Sequence, residues 1–398
     1  MKTMALYDLE TARKLVIQAG LKLQQLGLIA RTWGNISARI SDSQFVITPS
    51  GRSYETLTPE QIVIVNISDC SYEGDIKPSS EKLVHAAAYK ARPQAQFIIH
   101  THQNFASAVS ILGRPVRQIG TLASSAAGLL PDVDNADDLR SVLGDEVPCA
   151  EYGSNGSIRL MNNVSKALLS CPSADTVLMQ NHGVLCTGSS FEHAFRLASS
   201  LETAACLFYL QMTAAANNPD PLRQAVLKTF RGGIDLTTLT LTDTSFSPDG
   251  SSSLLRARIR SPFLLEACRR AGVSADETVF LRPYIDDQAQ CIGADLPCIH
   301  IRGWNEDGST NVEDASRIRS LLRGHNGILC VADSPSDSCG LLTGSNKDDL
   351  TAAAIVLEKG CIAAVLAGFA DKARPLTKEE AAMDRKVYVE SYSRLKNA

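Results

Sequence analysis

Apolar and polar positions recur with two different periods along this chain, and the switches between them mark out elements. Between Asp8 and Leu28 the residues Leu15, Val16, Ala19, Leu23 and Leu26 fall near one face of a 3.6-residue period. That pattern predicts an amphipathic helix, capped by Asp8 or Thr11. The period then drops to two. Ile36, Ala38 and Ile40 follow a Gly34-Asn35 turn, Phe45 to Thr48 ends at Pro49-Ser50-Gly51, and Ile62 to Val65 is continuously apolar. These read as three short strands. Lys77-Pro78-Ser79-Ser80 precedes Leu83, Val84, Ala87 and Ala88, which predicts a helix N-terminus with Ser79 or Ser80 as its cap. That helix runs to Arg92-Pro93 and feeds the stretch Phe97-Ile98-Ile99-His100-Thr101-His102.

Further on, Asn104 to Leu112 reads as a helix, and Ser154 to Ser170 contains another. Thr176 to Met179 is a strand ending at Gln180-Asn181-His182-Gly183, with the glycine permitting a tight turn. Ser189-Ser190 then caps a long helix from Phe191 to Met212. Asn217-Asn218-Pro219-Asp220-Pro221 breaks the pattern, and Gly232-Gly233 with the Thr/Ser-rich stretch 237–253 reads as a loop-rich entry to a second domain. The expected organisation is a first domain over 1–217, a linker over 218–237 and a second domain over 238–398. No apolar run approaches the ~20 residues of a bilayer span, and the first residues lack the apolar core of a signal peptide.

Composition narrows the classes. With 398 residues the chain holds two or three domains, and its formal charge of −4 gives no electrostatic case for nucleic acid or an anionic membrane. Eleven scattered cysteines without a C-x-x-C pair read as reduced, buried thiols, which places the protein in the cytoplasm.

Side chains two apart on a strand share a face, so His100 and His102 project together. Two imidazoles on one strand end supply half of a tetrahedral zinc site, although two solvated histidines would give the same tripeptide. His182 also sits at a strand end. The serine-lined helix start at Ser79-Ser80 suits a phosphate, as most helix caps do without binding one. His85 and His193 lie inside helices without a partner at metal-ligand spacing and read as structural.

Taken in order, Gly34-Asn35-Ile36-Ser37, Ile47-Thr48-Pro49-Ser50-Gly51, Pro78-Ser79-Ser80-Glu81 with His85, Tyr89 and Arg92-Pro93, His100-Thr101-His102 and Asn181-His182-Gly183 resemble the class II aldolase/adducin family over about residues 8–215, most of all its L-fuculose-phosphate aldolase branch. The resemblance implies a three-layer α/β/α fold with a mostly antiparallel sheet. It implies zinc, one per chain, on His100, His102 and His182, with manganese or cobalt accepted by the same imidazoles. The acid/base carboxylate falls on Glu81, and the phosphate cradle on Gly34, Asn35, Ser50, Gly51, Ser79 and Ser80. The implied reaction is cleavage of a ketose 1-phosphate to dihydroxyacetone phosphate and an aldehyde. Alternatives within the family are a 4-epimerase, dehydratase or decarboxylase, or an adducin-like binding protein. Related epimerases carry aspartate at the Glu81 position. One departure stands out: the tyrosines that help protonate the alkoxide in the aldolases have no counterpart between Arg114 and Gly128 or between Leu210 and Pro283.

The second half reads as a trimmed, degenerate copy. Ser261-Pro262-Phe263 lies on Ser79-Ser80-Glu81 at an offset of 182 (261 − 79), which carries Val279–Tyr284 onto Phe97–His102. His325-Asn326-Gly327 mimics Asn181-His182-Gly183. In this register His100, His102, His182 and Glu81 become Arg282, Tyr284, Asn326 and Phe263. The expected partners are a small-molecule sugar phosphate and a second copy of the chain. The family's fourfold rings imply a homodimer forming a pseudo-tetramer of domains.

Overall fold

In the computed structural model, the described residues are 6–29, 32–125, 136–213, 221–232, 240–246, 254–275, 277–306 and 308–392. The chain divides into two units, Met1–Met212 with Tyr392–Ala398, and Thr213–Ser391. Part of the stretch read as a linker is a helix, Pro221–Gly232; the remainder of 218–237 lies outside the described residues.

The first unit is built on a seven-stranded sheet. Its strands are β1 (Gly34–Arg39), β2 (Gln44–Ile47), β3 (Val63–Asn66), β4 (Phe97–Thr101), β7 (Cys149–Ala150), β8 (Thr176–Met179) and β9 (Gly183–Gly188), in the order β3-β2-β1-β4-β9-β8-β7. The short β5 (Val116–Arg117) and β6 (Glu146–Val147) pair separately. Every pairing in the large sheet is antiparallel except β7 with β8. The alternation along β4 places the layers. Phe97 turns to the face where it meets the Phe191 ring at 5.3 Å, on the helix Phe191–Met212. Ile98 turns to the opposite face, into a core with Phe45, Val84, Tyr89, Leu160, Val164 and Leu185 from the sheet and the helices Lys82–Ala91 and Ile158–Ser170. Asp8 caps the helix Leu9–Gln25, its Oδ1 accepting from Thr11 N at 2.9 Å. The unit is the α/β/α sandwich expected.

The second unit carries β10 (Thr240–Phe246), β11 (Leu254–Ile259), β12 (Thr278–Leu281), β13 (Leu296–Ile301), β14 (Gly327–Ala332) and β15 (Cys339–Gly344), in the order β10-β11-β15-β14-β13-β12. Five of these repeat the first unit. The run β10-β11-β15-β14-β13 has the same order and the same strand senses as β1-β4-β9-β8-β7, with the single parallel pair at the same place. Laying Gly188 on Gly344, the residues that end β9 and β15, sets the residue match, and the pairing carries it to the neighbouring strands. Phe97 pairs with Gly188, and Leu255 pairs with Gly344; His100 pairs with Leu185, and Arg258 with Leu341.

This corrects the register read from sequence. Val279–Tyr284 cannot lie on Phe97–His102, because β12 is an edge strand whereas β4 is central. Gly327-Ile328-Leu329-Cys330 corresponds to β8, not β9. The positions matching His100, His102 and His182 are Arg258, Arg260 and Ser338, rather than Arg282, Tyr284 and Asn326. Arg260 Nε still reaches the Ser338 carbonyl at 3.1 Å, so the matched positions remain neighbours after losing their ligands. Among the described residues no strand or helix matches β2, β3 or Lys82–Ala91, so Phe263 is not the counterpart of Glu81; by register it matches Phe105, and both rings are fully buried.

The helix Lys347–Ala367 is, at 21 residues and a window mean hydropathy of 1.9, long and apolar enough to cross a membrane, unlike the sequence expectation; 78% of that window is buried within the protein, with Glu358 and Lys359 inside. All eleven cysteines are free, and nine are buried.

Candidate metal centre

The site forms where β4 ends and β9 begins. His100 and Ile98 share a face, the one covered by the helix Lys82–Ala91, and that helix begins directly after Glu81. His102 follows β4, and His182 sits in the turn between β8 and β9. The glycine beside it serves space rather than torsion. Asn181, not Gly183, takes the left-handed conformation of the turn (φ 58°), whereas a Cβ on Gly183 would stand 2.5 Å from the Thr101 carbonyl and 3.2–3.3 Å from the rings of His100 and His102. Gly34 does need its torsion: its φ is +127°, and Tyr54 Oη donates to its carbonyl at 3.0 Å.

The three imidazoles are buried and their ligand nitrogens converge within 4.8 Å of one another. Nε2 of His100 is 2.9 Å from Nε2 of His102 and 3.2 Å from Nε2 of His182. Nδ1 of His100 donates to the Val184 carbonyl at 2.8 Å, which leaves Nε2 to face the cluster. Glu81 joins from the helix side, with Oε2 at 2.9 Å from His100 Nε2 and Oε1 at 3.1 Å from His182 Nε2. Nitrogen lone pairs and carboxylate oxygens packed so closely repel one another unless a cation lies among them, and three imidazoles are a fitting donor set for a transition metal. Burial pushes the Glu81 carboxyl up, but attraction to His100 and His182 and hydrogen bonds to both outweigh it, so the carboxyl lies well below its ordinary range.

The other predicted site residues gather in adjoining loops. Ser79 N donates to the Thr48 carbonyl and Ser50 N to the Lys77 carbonyl, which ties the Ser50-Gly51 turn to the Ser79-Ser80 turn. The helix does not start at Ser79 or Ser80, as its proline and serines suggest. Glu81 is the N-cap residue, and its side chain makes no cap bond because it is directed to the histidines. Ser79 Oγ accepts from Glu81 N at 3.2 Å, and Ser80 Oγ donates to Asn155 Oδ1 at 3.2 Å. The Asn35 side chain reaches Glu81 as well: its Nδ2 donates to Glu81 Oε2 at 2.8 Å and its Oδ1 lies 2.6 Å from His85 Nε2. His85, read as structural, is thereby linked to the site; its four-residue spacing from Glu81 was the available signal. His193 is structural, accepting from Ser189 N at 3.2 Å.

A family model described as the Class II Aldolase and Adducin N-terminal domain matches residues 14–209. The chain is 34% identical over 207 residues to an L-fuculose phosphate aldolase of Escherichia coli O6:H1, covering 52% of this chain and 86% of the relative. It is 34% identical over 193 residues to a 5-methylthioribulose-1-phosphate/5-deoxyribulose-1-phosphate aldolase of Escherichia coli O45:K1, covering 48% and 81%. A solved L-fuculose 1-phosphate aldolase aligns with a TM-score of 0.44 at 26% identity, over 57% of this chain and 99% of that one.

Proposed function

The chain belongs to the class II aldolase and adducin family, and on that premise we propose that it is a zinc-dependent lyase cleaving a ketose 1-phosphate to dihydroxyacetone phosphate and an aldehyde. The observation that carries this reading is the convergence of three histidine Nε2 atoms in a buried site, two of them within 3.1 Å of the Glu81 carboxylate. His100, His102 and His182 would hold one ion per chain, and the same imidazoles accept manganese or cobalt. Bound there, the ion would supply a Lewis acid at the ketone oxygen, the atom that takes the electron pair released when the C3–C4 bond breaks. Glu81, ionised at rest and adjacent, takes up the proton that the C4 hydroxyl loses as the aldehyde forms and returns a proton to C3, the carbon that loses its bond to the aldehyde. The hydroxyls of Ser50, Ser79 and Ser80 and the backbone at Gly34 and Gly51 cradle the phosphate, so that binding energy remote from the broken bond orients the reacting atoms. Asn35 joins this cradle through its backbone, while its side chain donates to Glu81 Oε2. Eleven free cysteines are in keeping with a cytoplasmic setting.

The test joins metal analysis to an assay of dihydroxyacetone phosphate release from fuculose 1-phosphate and 5-deoxyribulose 1-phosphate. About one transition metal per chain is expected, with turnover of at least one of these sugars. Glu81→Gln should keep the metal and lose about 10²–10⁴-fold in kcat, because the amide cannot carry the proton. A protein without stoichiometric metal, or a Glu81→Gln variant with near-normal turnover, would end this reading.

A further inference from the structure

Behind Glu81 runs a continuous line of buried polar side chains. Glu81, His85 and Tyr89 are spaced i, i+4, i+8 and share one face of their helix; Asn35 and Ser37 are spaced i, i+2 on the facing side of β1. The two sets interleave, and all five residues are at most 7% exposed, so water does not stand in for any of them.

The direction of each hydrogen bond follows from the one before it. Asn35 turns its Nδ2 to Glu81 Oε2, donating to it at 2.8 Å, and so turns its Oδ1 away. That oxygen is 2.6 Å from His85 Nε2, and two acceptors cannot share such a contact, so Nε2 carries the hydrogen. Burial, with a smaller push from His100, lowers the pKa of His85 to about 3 and keeps the ring neutral. A neutral ring protonated on Nε2 accepts at Nδ1, which lies 2.7 Å from Ser37 Oγ. Ser37 therefore spends its hydrogen on His85, and its oxygen accepts from Tyr89 Oη at 2.9 Å.

We propose that Tyr89, Ser37, His85 and Asn35 form a one-way relay of hydrogen-bond donors ending on Glu81, with His85 as the positioning residue that locks the Asn35 amide in the donating orientation. The opposite tautomer of His85 would place a lone pair against Asn35 Oδ1, flip the amide and set a carbonyl oxygen against the carboxylate. Bonds aligned in one sense also polarise one another toward Glu81. The functional consequence rests on the acid/base role proposed for Glu81; the direction of the relay does not.

The direction can be read without any activity. The chain has seven histidines, so selective 15N-histidine labelling gives a tractable long-range NMR spectrum, with His85 assigned by its loss in His85→Gln. A neutral ring protonated on Nε2 at neutral pH, in both the metal-free and zinc-loaded protein, is expected. An Nδ1-protonated or charged ring overturns the relay. Kinetics then test the positioning role. His85→Gln keeps a donor toward Asn35 and an acceptor toward Ser37 and should stay within about tenfold of the parent kcat, whereas His85→Leu should lose about 10- to 100-fold beyond that, with KM and metal content nearly unchanged. Equal losses in both variants, or a loss confined to KM or to stability, overturn the positioning role. If the parent cleaves no ketose phosphate while the spectrum shows the expected tautomer, the relay stands and the catalytic reading falls.

Discussion

At the level of single residues, Gly183 is the position where one added carbon does the most harm to the metal centre. Its missing Cβ leaves room for the Thr101 carbonyl, 2.5 Å from where that atom would stand, and for the rings of two ligands. Gly183→Ala must push the β8–β9 turn away from β4 and carry His182 with it. Overpacking of this kind costs about 1–3 kcal/mol, and we expect a lower melting temperature together with zinc affinity weakened by at least about tenfold. Parallel thermal denaturation and competitive zinc titration check this; unchanged zinc affinity would show that the turn yields without moving the ligand. The same residue shows where reading by composition stops. An Asn-His-Gly turn suggests that glycine bends the chain, yet Asn181 makes the bend, since asparagine tolerates φ > 0. The pairing of His100 with His102 was legible because the two share a strand face, whereas His182 was joined to them only through the family resemblance. The service of Asn35 to Glu81 was not legible, because it depends on which strand pairs with which: Asn35 lies opposite His100 only through the β1–β4 register.

Elements reveal a likeness that local motifs obscured. Thr187-Gly188-Ser189 and Thr343-Gly344-Ser345 close β9 and β15, and each precedes a long buried helix. Glu202 and Glu358 lie on those helices, each pair at an offset of 156 (344 − 188 and 358 − 202). In the first unit Glu202 accepts from the N–H groups of Phe105 and Ala106, at 2.8 and 2.9 Å, and so clamps the start of the helix Asn104–Ser110. In the second, Glu358 accepts from Ser261 Oγ, and Ser261 caps the helix Pro262–Ala271 by accepting from Leu264 N at 3.0 Å. A buried carboxylate holding the N-terminus of the helix after the central strand is thus common to both units. Short look-alikes such as His325-Asn326-Gly327 misled because three residues carry too little information to set a register; paired strands set it without ambiguity. Glu202→Gln retains one accepting oxygen and should destabilise the first unit by about 1–3 kcal/mol. Glu358→Gln should act on the second to a similar extent. Hydrogen exchange at Phe105 and Ala106, and at Leu264, localises each effect; protection unchanged in either helix start would remove the clamp from that unit.

For the molecule as a whole, the two units differ in what they preserve. The first keeps the ligands, Glu81 and the strands that frame them. The second keeps the five-strand run and the glutamate clamp, but has arginines at two ligand positions and serine at the third. The second unit thus shares the five-strand order of the first without histidines at the matched positions. The fourfold rings implied by the family resemblance predict that one chain supplies two of four ring positions and that two chains close the ring. Closed rotational symmetry is the usual outcome for homo-oligomers of this kind. The expected assembly is a dimer with about one metal per chain, or two metal sites among four sandwich-like units. Light scattering or native mass spectrometry, together with metal counting on the same sample, decides the matter. A monomer rules out the ring of four, and two metals per chain would mean that the Arg258/Arg260/Ser338 unit binds an ion through ligands other than those at the matched positions.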